Sequence, residues 1–362
     1  MSRNVILVAR DSAPSRVFIK LEPVLRQSDF NVNLFVGDGK PLIETDEEIV
    51  FAVSGANVVV LGMSCSQELA QPEILAGKKA KDSDIPYGFY GDIRGCWARA
   101  RVGAWFEQLA PNVAFYFGVT QADADAAQEV FPNAQCFGTG NPLREDMAFP
   151  RFTRDEVRDR LGVAEDEKLI LVPGDKYAWI TLSQWVVVMD ALWRLCEHGQ
   201  RFRLIFTFHP GDRTPYAKDK ETGEHLEIYE HLLAYSPVST RIVDIGEMTT
   251  SEIVPGADLI VEFGSSIGIE ATYQRIPVVT LGSEPLFRLF EEEGGTRVPE
   301  SVEDGLSELV TTDATRLAET IQRLLTADGF VEMRARQKQL CPKPTERGAV
   351  LRKMADAIEQ VI

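Results

Sequence analysis

The chain has 362 residues, of which 44% are hydrophobic and 26% charged, and its net charge is −17. These values are typical of a soluble globular protein with room for two domains. The acidity argues against a broad nucleic-acid surface, because phosphate contacts need clustered Lys and Arg. No apolar run is long enough to span a bilayer, and the amino terminus lacks a signal-peptide layout. Five scattered cysteines without metal or redox spacing complete the prediction of a cytoplasmic protein with reduced thiols and no metal site.

Short apolar runs alternate with helical patterns through the first half of the chain. The predicted strands are Val5–Ala9, Val32–Val36, Val58–Leu61, Pro86–Tyr90 and Val113–Val119. Helical patterns between them include Ser15–Arg26 and Arg99–Leu109. Continuous apolar strands separated by helices indicate a parallel sheet that is covered on both faces.

The second half repeats this organisation after a polar, proline-bearing stretch at 145–155. Its predicted strands are Leu169–Val172, Leu204–Phe208, Thr240–Val243, Leu259–Val261 and Val278–Leu281, with helices such as Leu182–Glu197 and Ala314–Leu325 between them. The sequence therefore predicts an α/β protein of two doubly wound parallel-sheet domains, residues 1–145 and 150–340, with a cleft between them. The last helix, 347–362, has apolar residues at helical spacing, so it has a face to bury.

The segment 257–285 carries the main functional motif. A buried strand ends in the turn Gly264-Ser265-Ser266, and a helix follows with Glu270 about one turn further on. Glycine allows close backbone approach, and a helix start with serine hydroxyls favours an anion. Glu270 could accept from the two hydroxyls of a ribose. The pattern predicts a nucleotide site at the carboxyl end of a parallel sheet; an ordinary strand-to-helix turn with a serine N-cap is the alternative.

Three basic or imidazole side chains also follow predicted strands. His209 ends a strand before Pro210 and could donate to a phosphate oxygen, or simply pack at the strand end. Lys176 follows the first strand of the second domain, where a cation would meet a diphosphate or stay solvated. Arg10 follows the first strand of the chain and could reach donor phosphates or an anionic acceptor.

Asp92 is the candidate general base. It follows a predicted inner strand, so its carboxylate could take the proton of an acceptor hydroxyl. The alternatives are an N-cap for the next segment and an ion pair with Arg94 beside it. Glu68 is a second choice for the base.

Several segments together resemble those of GT-B glycosyltransferases and UDP-GlcNAc 2-epimerases. They are GTGNPLRED at 138–146, FTFHPGD at 206–212, and the serine turn with Glu270 and the following IPVV. The resemblance implies two Rossmann-like GT-B domains, with the acceptor side in the first and a nucleotide-sugar donor, more often UDP-linked than CMP-linked, in the second. It implies a last helix that crosses back onto the first domain, and neither cofactor nor metal, since basic groups and a helix end offset the leaving diphosphate.

The expected epimerase carboxylates are missing from this chain. Met63 and Ser64 stand where the aspartate after the third strand is expected, and Tyr90 stands where a glutamate is expected. A turn expected to be rich in histidine reads GDKYAW. The sequence therefore predicts a metal-independent glycosyltransferase. A sugar-nucleotide epimerase or hydrolase and a non-catalytic nucleotide-sugar-binding partner protein are the alternatives. The sugar, the acceptor (polysaccharide, lipid, small molecule or modified DNA base), retention or inversion, and a homodimer are left open.

Overall fold

The computed structural model describes residues 3–175, 178–197, 199–209, 217–218, 225–226, 233–244, 246–294 and 297–362. Lys176 and the part of the FTFHPGD segment that follows His209 lie outside the described residues. The chain folds into two compact units. The first contains Met1–Glu145, Glu291–Thr296 and Pro344–Ile362, and the second contains Asp146–Phe290 and Arg297–Lys343. Among the described residues, no helix is long and apolar enough to cross a membrane.

The first unit is built on a sheet of six parallel strands in the order β2-β1-β3-β4-β5-β6. These strands are β1 (Arg3–Ala9), β2 (Phe30–Val36), β3 (Val58–Gly62), β4 (Tyr87–Tyr90), β5 (Phe115–Gly118) and β6 (Gln135–Gly138). The helices between and after them are Ser12–Gln27, Asp46–Ser54, Gln71–Asp82, Gln121–Ala127 and Pro142–Asp146, with short 3₁₀ turns at Cys96–Ala100 and Ala110–Asn112. Val5 in β1 aligns with Val32 in β2 and with Val58 in β3.

The final helix, Ala349–Val361, packs within the first unit. Met354 and Ile358 are fully buried in the core cluster that also contains Phe18 and Leu21 of the helix Ser12–Gln27. The start of the final helix is held by a carboxylate. Glu145 accepts hydrogen bonds from the N–H groups of Gly348 (3.0 Å) and Val350 (3.2 Å). The apolar face read from the sequence is therefore buried on the first unit.

The second unit has its own sheet of six parallel strands, in the order β11-β8-β7-β12-β13-β14. The strands of this half are β7 (Lys168–Pro173), β8 (Phe202–Thr207), a small antiparallel pair β9 (Ala217–Lys218) and β10 (His225–Leu226), then β11 (Ser239–Val243), β12 (Leu259–Glu262), β13 (Val278–Gly282) and β14 (Glu308–Thr311). Its helices are Arg154–Leu161, Ala178–Cys196, Thr250–Ile253, Ser266–Tyr273, Glu284–Gly294, Glu300–Glu303, Ala314–Leu324 and Ala327–Leu340, with a 3₁₀ turn at Val254–Gly256.

The structure confirms the predicted fold class of two doubly wound parallel sheets. Each sheet has six strands where about five were predicted. The two that were missed, β6 and β14, lie at the sheet edges and are only partly buried, so neither shows a continuous apolar run. The helix predicted at Arg99–Leu109 is wrong. A 3₁₀ turn ends at Ala100, and Gly103 then takes a left-handed φ of 85°, which interrupts any regular helix.

Each sheet has a point at which the strand order reverses. In the first unit it lies between β1 and β3, and in the second between β7 and β12. In open α/β sheets, ligands bind outside the carboxyl ends of the strands at such a point. Arg10 follows β1 and the turn Gly264–Ser266 follows β12, so candidate residues lie at the reversal point of each unit.

Candidate functional site

A buried carboxylate shapes the turn at the carboxyl end of β12. Glu262, the last residue of that strand, is fully buried. Its Oε2 accepts hydrogen bonds from the backbone N–H of Gly264 and from that of Ser265 at 2.5 Å. The hydroxyl of Thr280 in β13 donates to its Oε1. Two N–H groups of the turn are therefore used by the protein itself, and Glu262 is a site residue that sequence reasoning missed.

Burial has the largest effect on the pKa of the Glu262 carboxyl. It raises the pKa of the carboxyl to about 7, against the lowering effect of the hydrogen bonds from Thr280, Ser265 and Gly264. The negative charge of Asp175 raises the pKa further. Asp175 follows β7, and its N–H donates to Thr181 Oγ1 at 2.9 Å. Two carboxyl groups thus influence each other across the point where the strand order reverses.

Gly264 is required by its packing. Its φ is 89°, in the region that favours glycine. A Cβ at this position would overlap the ring of Phe290 and lie 3.0 Å from Pro299 Cγ. The glycine therefore fits the turn against a neighbouring helix, and this contact explains the residue without a ligand.

The two serines of the turn differ in what they do. Ser265 is the N-cap of the helix Ser266–Tyr273, and its Oγ accepts a hydrogen bond from the N–H of Ile267 at 3.3 Å. Ser265 therefore acts as the serine N-cap that was the alternative prediction for this turn. Ser266 is exposed, and its hydroxyl makes no hydrogen bond within the described part of the chain. Ser266 is accordingly the serine of this turn best able to meet an external anion.

Glu270 lies one helical turn beyond Ser266, so the two side chains share a face of the helix. Glu270 is half-buried, and its Oε2 accepts a hydrogen bond from the Ser251 hydroxyl at 3.0 Å. Beside Ser251, the Thr250 hydroxyl donates to Thr207 Oγ1 at 2.8 Å. The short helix Thr250–Ile253, whose Ser251 contacts Glu270, is therefore linked by a hydrogen bond to the end of β8.

His209 stands two residues beyond the end of β8 and is half-buried. Gly174, after β7, donates its N–H to the carbonyl of Thr207 at 2.7 Å. A Cβ on Gly174 would lie 3.1 Å from the backbone nitrogen of His209, so the two strand ends pack closely. The structure thus brings His209, Gly264, Ser265, Ser266 and Glu270 to the carboxyl edge of one sheet.

Arg10 and Asp92 follow β1 and β4 in the first unit. Arg10 donates from Nη1 to the carbonyl of Glu68 at 3.1 Å. The carboxylate of Asp92 lies 4.0 Å from Arg99 Nη1 and accepts a hydrogen bond from Cys96 Sγ at 3.4 Å. The side chain of Asp92 is 14% exposed, and it forms an ion pair with Arg99. The pair with Arg94 that was its alternative role stays a prediction.

Glu73 is a second buried carboxyl that sequence reasoning missed. It accepts hydrogen bonds from the Ser64 hydroxyl and from the N–H of Arg10 at 3.2 Å. Burial raises its pKa to about 7, against the lowering effect of the Ser64 hydrogen bond. It lies on the buried face of the helix Gln71–Asp82 with Ala76. A glutamate on an otherwise small and apolar helix face was the available signal.

The described residues contain no group of three or more His, Cys, Asp or Glu side chains placed to hold a metal ion.

Known structures share this fold along its whole length. A glycosyltransferase from Rickettsia africae aligns with a TM-score of 0.64 and 13% identity, covering 99% of this chain and 98% of that one. A UDP-GlcNAc 2-epimerase from Neisseria meningitidis bound to UDP-GlcNAc gives 0.60 and 13%, covering 99% and 100%. Anabaena HepE in complex with UDP gives 0.62 and 12%, covering 99% and 100%. No protein-family model and no curated protein matches the chain. The expected likeness to GT-B glycosyltransferases and UDP-GlcNAc 2-epimerases is confirmed at the level of fold.

Proposed function

We propose that this protein is a cytoplasmic glycosyltransferase that takes a sugar from a UDP-sugar donor. The observation that carries the proposal is the shared helix face of Ser266 and Glu270 at the carboxyl edge of the second sheet. One turn of helix separates a hydroxyl at the positive helix end, which favours a phosphate, from a carboxylate that could accept from the hydroxyls of the attached ribose. The support from comparison is that neighbours of the same fold were solved with UDP or UDP-GlcNAc bound.

The proposed reaction needs no cofactor or metal. The bond between the sugar's anomeric carbon and the diphosphate oxygen breaks, and a bond forms to an acceptor hydroxyl, whose proton passes to the Asp92 carboxylate. His209, Lys176 and the Ser265–Ser266 turn would stabilise the departing diphosphate electrostatically. Arg10 would reach the donor phosphates or an anionic acceptor.

Glu270→Ala is expected to weaken UDP binding by about 1–3 kcal/mol, the usual loss for a hydrogen bond to a charged group. Because Glu270 is assigned to the ribose, the same loss should appear with uridine, which has no phosphate. Ser266→Ala is the matched control, since it should weaken UDP and leave uridine unchanged. Calorimetric titration of the folded variants measures all four affinities. Unchanged UDP affinity in Glu270→Ala would remove this assignment of the site.

A sugar-nucleotide epimerase is the second candidate, and Glu73 favours it. Met63, Ser64 and Tyr90 cannot act as strong bases, but the buried Glu73 carboxyl contacts Ser64 and has its pKa raised to about 7. A carboxyl that titrates near neutral pH is suited to proton transfer. The ordinary role of Glu73 is to join Ser64 to the backbone of Arg10.

Solvent deuterium separates the two candidates. A transferase leaves the sugar C–H bonds intact, so UDP-GlcNAc recovered after incubation in D₂O should carry no deuterium at the second carbon of the sugar. Mass spectrometry of the recovered sugar makes the measurement. Deuterium that appears in the wild type and is lost in Glu73→Gln would establish epimerase chemistry and overturn the transfer proposal.

Two substitutions test the transfer chemistry itself. Asp92→Asn should reduce transfer by about 10²–10⁴-fold, the usual contribution of a general base, while UDP binding stays near that of the wild type. His209→Ala should reduce both transfer and donor hydrolysis.

A protein that binds UDP-sugars but neither hydrolyses nor transfers them with any acceptor offered would instead be a non-catalytic binding partner.

A further inference from the structure

A pocket lies at the amino-terminal ends of the strands in the second unit's sheet. It has a volume of about 670 Å³, within the size range of small-molecule sites. Its walls include Lys168, the first residue of β7, and Asp258, which immediately precedes β12. The candidate nucleotide residues follow the carboxyl ends of the same strands. Since a six-residue strand such as β7 is about 20 Å long, the pocket is separate from that site.

The pocket is basic although the chain is acidic. Four cationic side chains and one carboxylate line it, in a protein whose net charge is −17. The cations are those of Arg154, Lys168, Arg275 and Arg334. The carboxylate of Asp258 is already held by Arg154 Nη2 at 2.6 Å and, from outside the lining, by Arg158 Nη1 at 3.0 Å. The positive charge of the lining is therefore not balanced by its own acid.

Arg275 and Arg334 of this lining are close enough to a third cation, Lys343 outside the lining, to affect its pKa. Burial lowers the pKa of Lys343, and the nearby cations Arg275 and Arg334 lower it further. Arg275 is fixed, because its Nη1 donates to the carbonyls of Gln337 at 3.1 Å and Cys341 at 2.9 Å. Such repulsion costs free energy in the empty protein, and a bound anion would relieve it.

Two helices also begin at the pocket. Thr153 and Thr326, which line it, are the N-caps of Arg154–Leu161 and Ala327–Leu340. The amino-terminal ends of both helices therefore border the same space. Acidic residues occupy the first turn of each helix, but none of them lines the pocket. These acidic residues offset part of the dipole of each helix, so the arginines and the lysine supply most of the positive charge of the lining.

Two aromatic rings are also part of the walls. Phe152 and Phe330 line the pocket, and Arg334 lies over the Phe330 ring with its Cζ 4.8 Å from the ring centroid. Phe152 is flanked by Arg160, with the corresponding distance 4.1 Å. A ligand that matches this lining combines an anionic group with a flat apolar ring.

We propose that this pocket binds a small organic phosphate. Its phosphoryl group would lie at Lys168, Arg334 and the two helix starts, and its ring would pack against Phe152 and Phe330. The inference does not depend on glycosyl transfer, since none of these residues belongs to the candidate nucleotide site.

Phenyl phosphate is the probe, because it combines a phosphoryl group with an aromatic ring and has no other functional group. Phenol lacks the charge and inorganic phosphate lacks the ring, so each should bind more weakly than phenyl phosphate in calorimetric titrations. Arg334→Gln should weaken phenyl phosphate about tenfold, the scale of one charged hydrogen bond. Adding Lys168→Gln should weaken it further, and added salt should weaken it in the wild type.

Lys338→Gln is the matched control. It removes the same charge from an exposed position on the helix that carries Arg334, outside the pocket, and should leave affinity unchanged. Thermal unfolding verifies that each variant is folded. Crystals soaked with phenyl phosphate locate the ligand. Absent binding, equal affinity in Arg334→Gln and Lys338→Gln, or density only at the Gly264–Ser266 turn would each overturn the proposal.

Discussion

Gly264→Ala is expected to destabilise the protein by about 2–5 kcal/mol. The left-handed φ of 89° costs an alanine about 1–2 kcal/mol. The new methyl group would overlap the Phe290 ring, and overpacking of this kind costs about 1–3 kcal/mol more. Chemical denaturation measures the sum as a change in the free energy of unfolding.

Gly305→Ala separates the two contributions. Gly305 also has a positive φ, 68°, but a Cβ there would meet only Leu340 Cδ1 at an ordinary 3.5 Å. This control should therefore lose only the cost of the backbone conformation. In Phe290→Ala the overlap is absent, so adding Gly264→Ala to that variant should cost less than it does in the wild type. Equal losses in the two glycine variants would contradict the role given to Phe290.

Stability is expected to fall as pH rises from about 4.5 to about 7 because of Glu73 and Glu262. In the unfolded chain each carboxyl releases its proton near the ordinary value of 4.5, whereas burial in the folded protein raises each pKa to about 7. Between these values the folded state binds more protons than the unfolded state. Each group should therefore lower the free energy of unfolding by up to about 1.4 kcal/mol per pH unit in this window.

Glutamine substitution isolates this contribution. Glu73→Gln and Glu262→Gln keep the size of the side chain and cannot ionise, so their stability relative to the wild type should improve as pH rises through the window. Glu319→Gln, at an exposed position, is the control for the loss of one acidic side chain. Denaturation curves at several pH values give the differences. Differences that stay constant across the window would show that neither carboxyl holds its proton in the folded state.

The candidate site was only partly readable from the sequence. Ser265, Ser266 and Glu270 were found because they are close in the chain and sit on one strand-to-helix turn. Glu262 was not predicted as a site residue, although it is two residues from Gly264. A single glutamate at a strand end gives no sign in the sequence that it is buried. Its importance comes from Thr280 in the neighbouring strand, a contact that only the sheet order creates.

The sequence by itself determined most of the local elements of this protein. Continuous apolar runs require strands buried on both faces, and a threonine followed three residues later by a glutamate starts a helix, as at Thr153 and Glu156. Both patterns act within a few residues, so they can be read along the chain. The same is true of the apolar face of the last helix.

Only the tertiary structure decided which distant groups share an environment. Glu73 meets the backbone of Arg10, which is 63 residues away, and Arg275 meets the carbonyl of Gln337 across 62 residues. The raised pKa values of the buried carboxyls and the positive lining of the pocket at Lys168 and Arg334 likewise depend on residues that are distant in the chain. Burial and charge depend on all neighbours in space, and strand order, which local patterns do not encode, decides which residues become neighbours.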